Sequence, residues 1–108
     1  MNLFTPLADA RKGEVVEKLL ERPGLRILRI TSCGHKSPPG FWYEEEEGEW
    51  VVLLKGAARL RFEDEETPRT LVPGDAIDIA PRRRHRVEWT LPGSPTLWLT
   101  VYYREAPF

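Results

Sequence analysis

The sequence has few of the residues on which several classes of protein depend. Cys33 is its only cysteine, so no disulfide can form within the chain, and this is typical of a reducing compartment. The first residues lack a basic start followed by an apolar core, so we predict no signal peptide. No apolar run approaches the ~20 residues that a membrane helix requires. We therefore expect a cytoplasmic protein with no membrane partner.

The sequence also lacks a large excess of positive or negative charge. Lys+Arg 16 against Asp+Glu 17 gives a formal net charge of -1, so the molecule as a whole is not expected to attract nucleic acid. The basic cluster Arg82–Arg86 could bind a phosphate or a carboxylate. We expect instead that Arg84 and Arg86 pair with Glu88 or with carboxylates of neighbouring strands. The acidic run Glu44–Glu47 is typical of a solvated loop, although it could attract a cation.

The sequence is rich in short strand-like segments separated by glycine and proline. Its 108 residues suffice for one domain, which we divide into an N-terminal arm, 1–24, and a barrel domain, 25–108. Many short strands with little helix predict an antiparallel sandwich or barrel. The predicted strands are 25–32, 50–55, 57–62, 70–72, 76–79, 85–90 and 96–103. Within the arm, the apolar spacing of residues 13–22 favours one or two helical turns, with a strand as the alternative.

Two spaced sets of residues lie on these predicted strands. Glu49 is followed by Gly56 at the spacing E-x6-G, and Gly74 is followed by His85 eleven positions later. This pattern resembles the two motifs of the cupin superfamily, G-x5-H-x-H-x3,4-E-x6-G and G-x5-P-x-G-x2-H-x3-N. The resemblance covers residues 25–103. It implies an all-β, antiparallel jelly-roll β-barrel with at most a short N-terminal helix.

The sequence departs from the cupin motifs where the family usually binds metal. The histidine positions of the first motif fall on Tyr43 and Glu45, or on Trp42 and Glu44 with the longer spacer. The chain has only two histidines, His35 and His85. The family's usual site of three histidines and one glutamate therefore cannot be built. The resemblance implies that His85 and Glu49 would be the retained ligands of a divalent metal such as Mn, Fe, Ni or Zn, completed by Glu45 and by His35 or Tyr43. A barrel with no metal is the alternative.

Glu49 and His85 also suggest chemistry without a metal. In the family their positions point into the barrel, where a carboxylate is costly unless it has a partner. A buried Glu49–His85 pair could act as a general acid/base pair. Some cupin-fold sugar-nucleotide epimerases resemble that arrangement, with a histidine base and a tyrosine. Tyr43 and Tyr102 are the candidates for the tyrosine here.

The strand that follows Glu49 has apolar residues on both faces. Trp50, Val52 and Leu54 alternate with Glu49, so they point outward if Glu49 points inward. An outward apolar stripe calls for a cover, and a second subunit is the usual one. We therefore expect a homodimer.

Three kinds of function fit these features. The first is a cupin that binds a small polar or anionic molecule in its barrel, with a degenerate or absent metal site. The second is an enzyme using Glu49 and His85, either a metal-dependent oxygenase, isomerase or decarboxylase or a metal-free acid/base catalyst. The third is a purely structural or interaction module. We expect the first, because the missing histidines disfavour a metal enzyme and the retained Glu49 and His85 disfavour a purely structural role.

Overall fold

The computed structural model of the protein describes residues 1–104, so residues 105–108 of the predicted barrel domain lie outside the described residues. Those 104 residues contain strands and connecting turns and no helix, and hence no helix that could cross a membrane. The strands are β1 (Val15–Arg22), β2 (Leu25–Ser32), β3 (Gly48–Lys55), β4 (Ala58–Phe62), β5 (Arg69–Leu71), β6 (Ala76–Ile79), β7 (His85–Thr90) and β8 (Thr96–Tyr103).

The eight strands form two antiparallel sheets that face each other as the walls of a barrel. The larger sheet has the order β1-β2-β8-β3-β6, and the smaller has the order β5-β4-β7. Apolar side chains from both sheets fill the space between them and alternate with outward side chains along each strand. The buried core comprises Val51, Leu53, Ala58, Leu60, Phe62, Leu71, Ile79 and Trp98. The all-β, antiparallel jelly-roll barrel expected from the sequence is therefore confirmed.

The helical turns expected over residues 13–22 do not form, and the strand alternative is correct. β1 pairs antiparallel with β2, so the large sheet extends into the predicted N-terminal arm. The register shifts between Lys18 and Leu20, where a β-bulge inserts one extra residue. The extra residue interrupts the apolar alternation expected of a strand. The apolar residues Val15, Val16, Leu19 and Leu20 are therefore spaced as on one face of a helix.

The first residues of the chain cross the outer side of the large sheet. Arg29 on β2 pairs with Glu17 on β1 at 2.9 Å. Its guanidinium also donates to the carbonyl oxygens of Asn2 and Leu3, each at 3.4 Å. Ala10 is buried as well. The start of the chain therefore covers part of this face.

The two faces of β3 point as the sequence predicted. Glu49, Val51 and Leu53 are buried, whereas Trp50 is 42% exposed. The turn that ends β3 needs glycine at position 56. Gly56 has a φ of 89°, and an added Cβ would lie 2.8 Å from the Cα of Thr96, the first residue of β8. The motif glycine thus permits the close approach of β3 to β8.

Candidate functional site

A cavity of about 180 Å³ lies between the two sheets. A cavity of this volume suits a compact ligand. Eight of its fourteen lining side chains are apolar. The six polar lining residues are Glu14, Tyr43, Glu49, His85, Thr100 and Tyr102.

Glu49 and His85 meet in the cavity wall. Glu49 comes from β3 of the large sheet, and His85 is the first residue of β7 in the small sheet. His85 Nε2 lies 3.3 Å from Glu49 Oε1, and the two side chains are only 7% and 11% exposed. His85 Nδ1 lies 2.8 Å from the carbonyl oxygen of Arg83. The structure therefore brings together the pair that the sequence singled out, and the pair bridges the two sheets.

The contacts of His85 favour a charged imidazolium. A carbonyl oxygen only accepts hydrogen bonds, so Nδ1 carries a proton, and Nε2 faces a carboxylate that also accepts. Burial by itself lowers the pKa of His85. The hydrogen bonds to Glu49 and to the Arg83 carbonyl oxygen, together with the charges of Glu49 and Glu45, outweigh burial and raise the pKa above its ordinary value of 6.5. The pair is thus an imidazolium–carboxylate pair in which both ring N–H groups face acceptors within the protein, Arg83 O and Glu49 Oε1.

Tyr43 is held against His85 by backbone and ring. The two residues form an isolated antiparallel bridge, in which Tyr43 N donates to His85 O at 2.7 Å and His85 N donates to Tyr43 O at 3.1 Å. Their rings stack with centroids 5.5 Å apart. Burial, followed by the charges of Glu14, Glu49 and Glu45, raises the pKa of Tyr43. Its phenol is therefore protonated at neutral pH and can donate a hydrogen bond.

Tyr102 lies on β8 opposite Glu49. The guanidinium of Arg26 lies 4.5 Å from the centroid of its ring. Burial and the charges of Glu49 and Glu45 raise the pKa of Tyr102, although Arg26 opposes them. The cavity thus contains two protonated phenols beside one charged pair.

Sequence reasoning missed two polar residues of the cavity, Glu14 and Thr100. Glu14, which directly precedes β1, and Val16 both line the cavity. The helical turns predicted for this segment do not place these two side chains on one face. Thr100 alternates with Trp98 and Tyr102 along β8, and that period of two could have revealed it. Thr100 is 1% exposed, and its Oγ1 has no hydrogen-bond partner among the described residues. A buried hydroxyl without a partner is a place for a ligand's polar group.

The other two predicted metal ligands do not join Glu49 and His85 in lining the cavity. Glu45 acts on His85 only through its charge. His35 Nε2 lies 3.6 Å from Glu14 Oε2. Among residues 1–104, no group of three or more His, Cys, Asp or Glu side chains is placed to hold a metal ion. The donors in the cavity therefore do not fit the metal site that the resemblance implies.

The basic cluster is paired with carboxylates, as expected. Arg86 Nε lies 3.3 Å from Glu88 Oε1. Arg84 pairs with Glu63 at 2.5 Å and with Glu44 at 3.4 Å. Much of the cluster's charge is therefore balanced within the molecule, and the acidic run supplies part of that balance.

Comparison with solved structures shows a strong similarity to a bacterial protein. A solved protein from Ralstonia eutropha JMP134, provisionally described as a mannose-6-phosphate isomerase, is 43% identical, with a TM-score of 0.93 over 97% of each chain. A cupin superfamily protein from Desulfitobacterium hafniense DCB-2 is 14% identical, with a TM-score of 0.75 over 92% of this chain and 84% of its own.

An RmlC-like cupin family protein from Methanocaldococcus jannaschii, with a double-stranded β-helix fold, is 19% identical. Its TM-score is 0.71, over 91% of this chain and 86% of its own. No family model matches the sequence. No curated protein matches it either. The two weaker similarities establish the fold alone.

Proposed function

The chain belongs to the cupin superfamily, and from that premise we propose that it binds a small polar molecule in its barrel, without a metal. The observation that carries this proposal is the buried Glu49–His85 pair, at 3.3 Å in the wall of the cavity. Charged groups are costly to bury, and here they lie beside an open space. The second carboxylate oxygen of Glu49 can accept a hydrogen bond from a ligand in that space.

The cavity supports this proposal in three further ways. Its volume of about 180 Å³ is below the ~300–1,000 Å³ of pockets for drug-sized ligands, so it suits a small metabolite. Its eight apolar side chains can bury the body of a ligand. Tyr43, Tyr102 and Thr100 add hydroxyls around the charged pair. A few converging polar groups in an apolar cavity are typical of a binding site.

Binding can be tested with a set of small sugars, hydroxy acids, alcohols and amines, screened by ligand-observed saturation-transfer NMR. We expect at least one compound to bind, and Glu49→Gln to weaken its binding by about tenfold, equivalent to ~1.4 kcal/mol. Glu63→Gln is the matched control, because it removes one carboxylate from a half-exposed ion pair with Arg84. Unchanged binding by the Glu49→Gln variant would contradict the assigned anchor.

A second candidate is a metal-free acid/base enzyme, favoured by the protonated phenols beside the imidazolium. Tyr43 and His85 both hold a proton in the cavity, and Glu49 can accept one. The provisional description of the Ralstonia eutropha protein as an isomerase agrees with proton transfer. The same NMR samples in D2O distinguish the two functions. Exchange of a carbon-bound hydrogen of the ligand, abolished by His85→Gln, would show catalysis, whereas binding without exchange supports a binding protein.

We also propose that two copies associate through the outer face of the large sheet. Trp50 is 42% exposed, and half-buried Val52 and Leu54 continue the stripe. Val101 and Leu99 lie opposite Trp50 and Val52 on β8 and point to the same side. A two-fold contact would bury this apolar face against its own copy.

Light scattering tests the association. We expect a mass about twice the 12.5 kDa of one chain. Trp50→Glu should reduce the mass to that of a monomer, because it places a charge in the centre of the apolar face. Val72→Glu changes another exposed side chain and should leave the dimer intact. A monomeric wild-type protein at micromolar concentration would exclude the dimer.

A further inference from the structure

The charged side chains of the cavity are mainly acidic. Among residues 1–104, the side chains that line it and can carry a charge near neutral pH are Glu14, Glu49 and His85. No lysine or arginine of the described chain lines it. Even with His85 charged, the wall retains an excess of one negative charge.

The two carboxylates lie in different surroundings. Glu49 faces His85 and is 11% exposed at the side chain. Glu14 is 22% exposed, accepts a hydrogen bond from Ser32 Oγ at 3.2 Å and lies 3.6 Å from His35 Nε2. Ser32 Oγ in turn accepts a hydrogen bond from Trp98 Nε1 at 3.3 Å. These contacts hold the Glu14 carboxylate at the cavity, and among residues 1–104 no lysine or arginine forms an ion pair with it.

Aromatic rings complete the wall. Tyr43, Tyr102 and Trp98 line the same cavity as the carboxylates. A ring face carries negative electrostatic potential and attracts organic cations. The buried Thr100 Oγ1, which has no partner among the described residues, also offers its oxygen as an acceptor to an N–H donor. The carboxylates and rings favour a ligand that carries positive charge, and the Thr100 hydroxyl can accept a hydrogen bond from an N–H group of that ligand.

We infer that the cavity takes a small organic cation, an amine on a compact apolar body, and rejects anions. This inference rests on the proposed function and names the ligand class of the same cavity. An anion would enter beside two carboxylates without a lysine or arginine to balance it. A phosphorylated sugar would meet the same repulsion. Of the polar and anionic ligands that the sequence left open, the cavity therefore disfavours the anionic ones.

Three probes that share a cyclohexyl ring test which sign of ligand charge the cavity prefers. Cyclohexylamine, cyclohexanol and cyclohexanecarboxylate have similar sizes and are respectively cationic, neutral and anionic at neutral pH. Their dissociation constants can be measured by NMR titration of the wild-type protein at fixed ionic strength, following the Trp98 indole signal. We expect the amine to bind at least about tenfold more tightly than the carboxylate, with the alcohol between them.

Variants in β1 and in the residue before it test whether Glu14 causes the preference for the amine. Glu14→Gln should reduce the ratio of amine to carboxylate affinity by about threefold or more, since it removes one charge from the wall. Glu21→Gln removes a charge from the same strand outside the cavity, where it pairs with Lys18, and should leave the ratio unchanged. A normal amide NMR spectrum for both variants shows that the fold is retained.

The outcomes separate this inference from the proposed function. Carboxylate binding that equals or exceeds amine binding would overturn the inference and leave the binding function standing. So would a Glu14→Gln variant with the wild-type ratio. Failure of all three probes together with a silent compound screen would overturn both. Failure of the amine while neutral compounds from the screen bind would overturn the inference alone.

Discussion

Replacing Phe62 by alanine is expected to lower the free energy of unfolding by about 3–5 kcal/mol. Phe62 ends β4 and is fully buried in the core between the sheets. Its ring centroid lies 6.0 Å from that of His85. The guanidinium groups of Arg83 and Arg69 lie 3.8 Å and 4.8 Å from the ring centroid. The truncation therefore leaves a cavity beneath His85 and removes two cation–π contacts.

Urea unfolding of the Phe62→Ala variant measures this loss. Phe4→Ala provides the control, because Phe4 is 50% exposed and its replacement should change the free energy of unfolding by less than about 1 kcal/mol. A loss below about 1 kcal/mol for Phe62→Ala would show that this ring is not part of a close-packed core.

Glu49→Gln is expected to reduce stability in a way that depends on pH. The folded state raises the pKa of His85 above 6.5. The stabilisation from the charged pair is therefore fully present below pH 6.5 and is lost as the pH rises through the raised value. The variant lacks the negative partner, so we expect it to lose about 1.5–3 kcal/mol near pH 6. The difference from wild type should shrink as the pH rises through the raised pKa of His85, because the imidazole is then neutral in both proteins.

Unfolding curves at several pH values test this dependence. Glu63→Gln breaks a half-exposed pair with Arg84 and should cost less than about 1 kcal/mol at every pH, because solvent screens that pair. A loss for Glu49→Gln that grew with pH would contradict the sign of the His85 shift. A loss that stayed constant would mean that charge on His85 contributes nothing to the pair.

Seven of the eight strands could be predicted because each of the seven has a local signal. Apolar segments between glycine and proline turns, with alternation in β7, predicted β2 and β6–β8 at their observed bounds. The first strand could not be predicted reliably, because its bulge at Lys18–Leu20 depends on pairing with β2. A single sequence does not contain that pairing information.

The site could be predicted only in part, for a related reason. Glu49 and His85 were found because motif spacing placed both towards the barrel interior. Glu14 was missed because its orientation depends on β1 being a strand. The carboxylates of Glu45 and Glu14 illustrate the limit, since only the folded chain shows which of them lines the cavity. The balance of charge in the cavity, and hence the expected ligand class, followed from that placement.

The central claim is that Glu49 and His85 form one charged pair in the cavity wall, and NMR titration of the histidine rings tests it most directly. The chain has two histidines, so a His35→Gln variant assigns the His85 signals. We predict that His85 titrates above pH 6.5 in the wild-type protein and shifts downward in Glu49→Gln, where burial meets less opposition. A His85 that titrates below pH 6.5 in the wild type, and does not move in the variant, would contradict the claim.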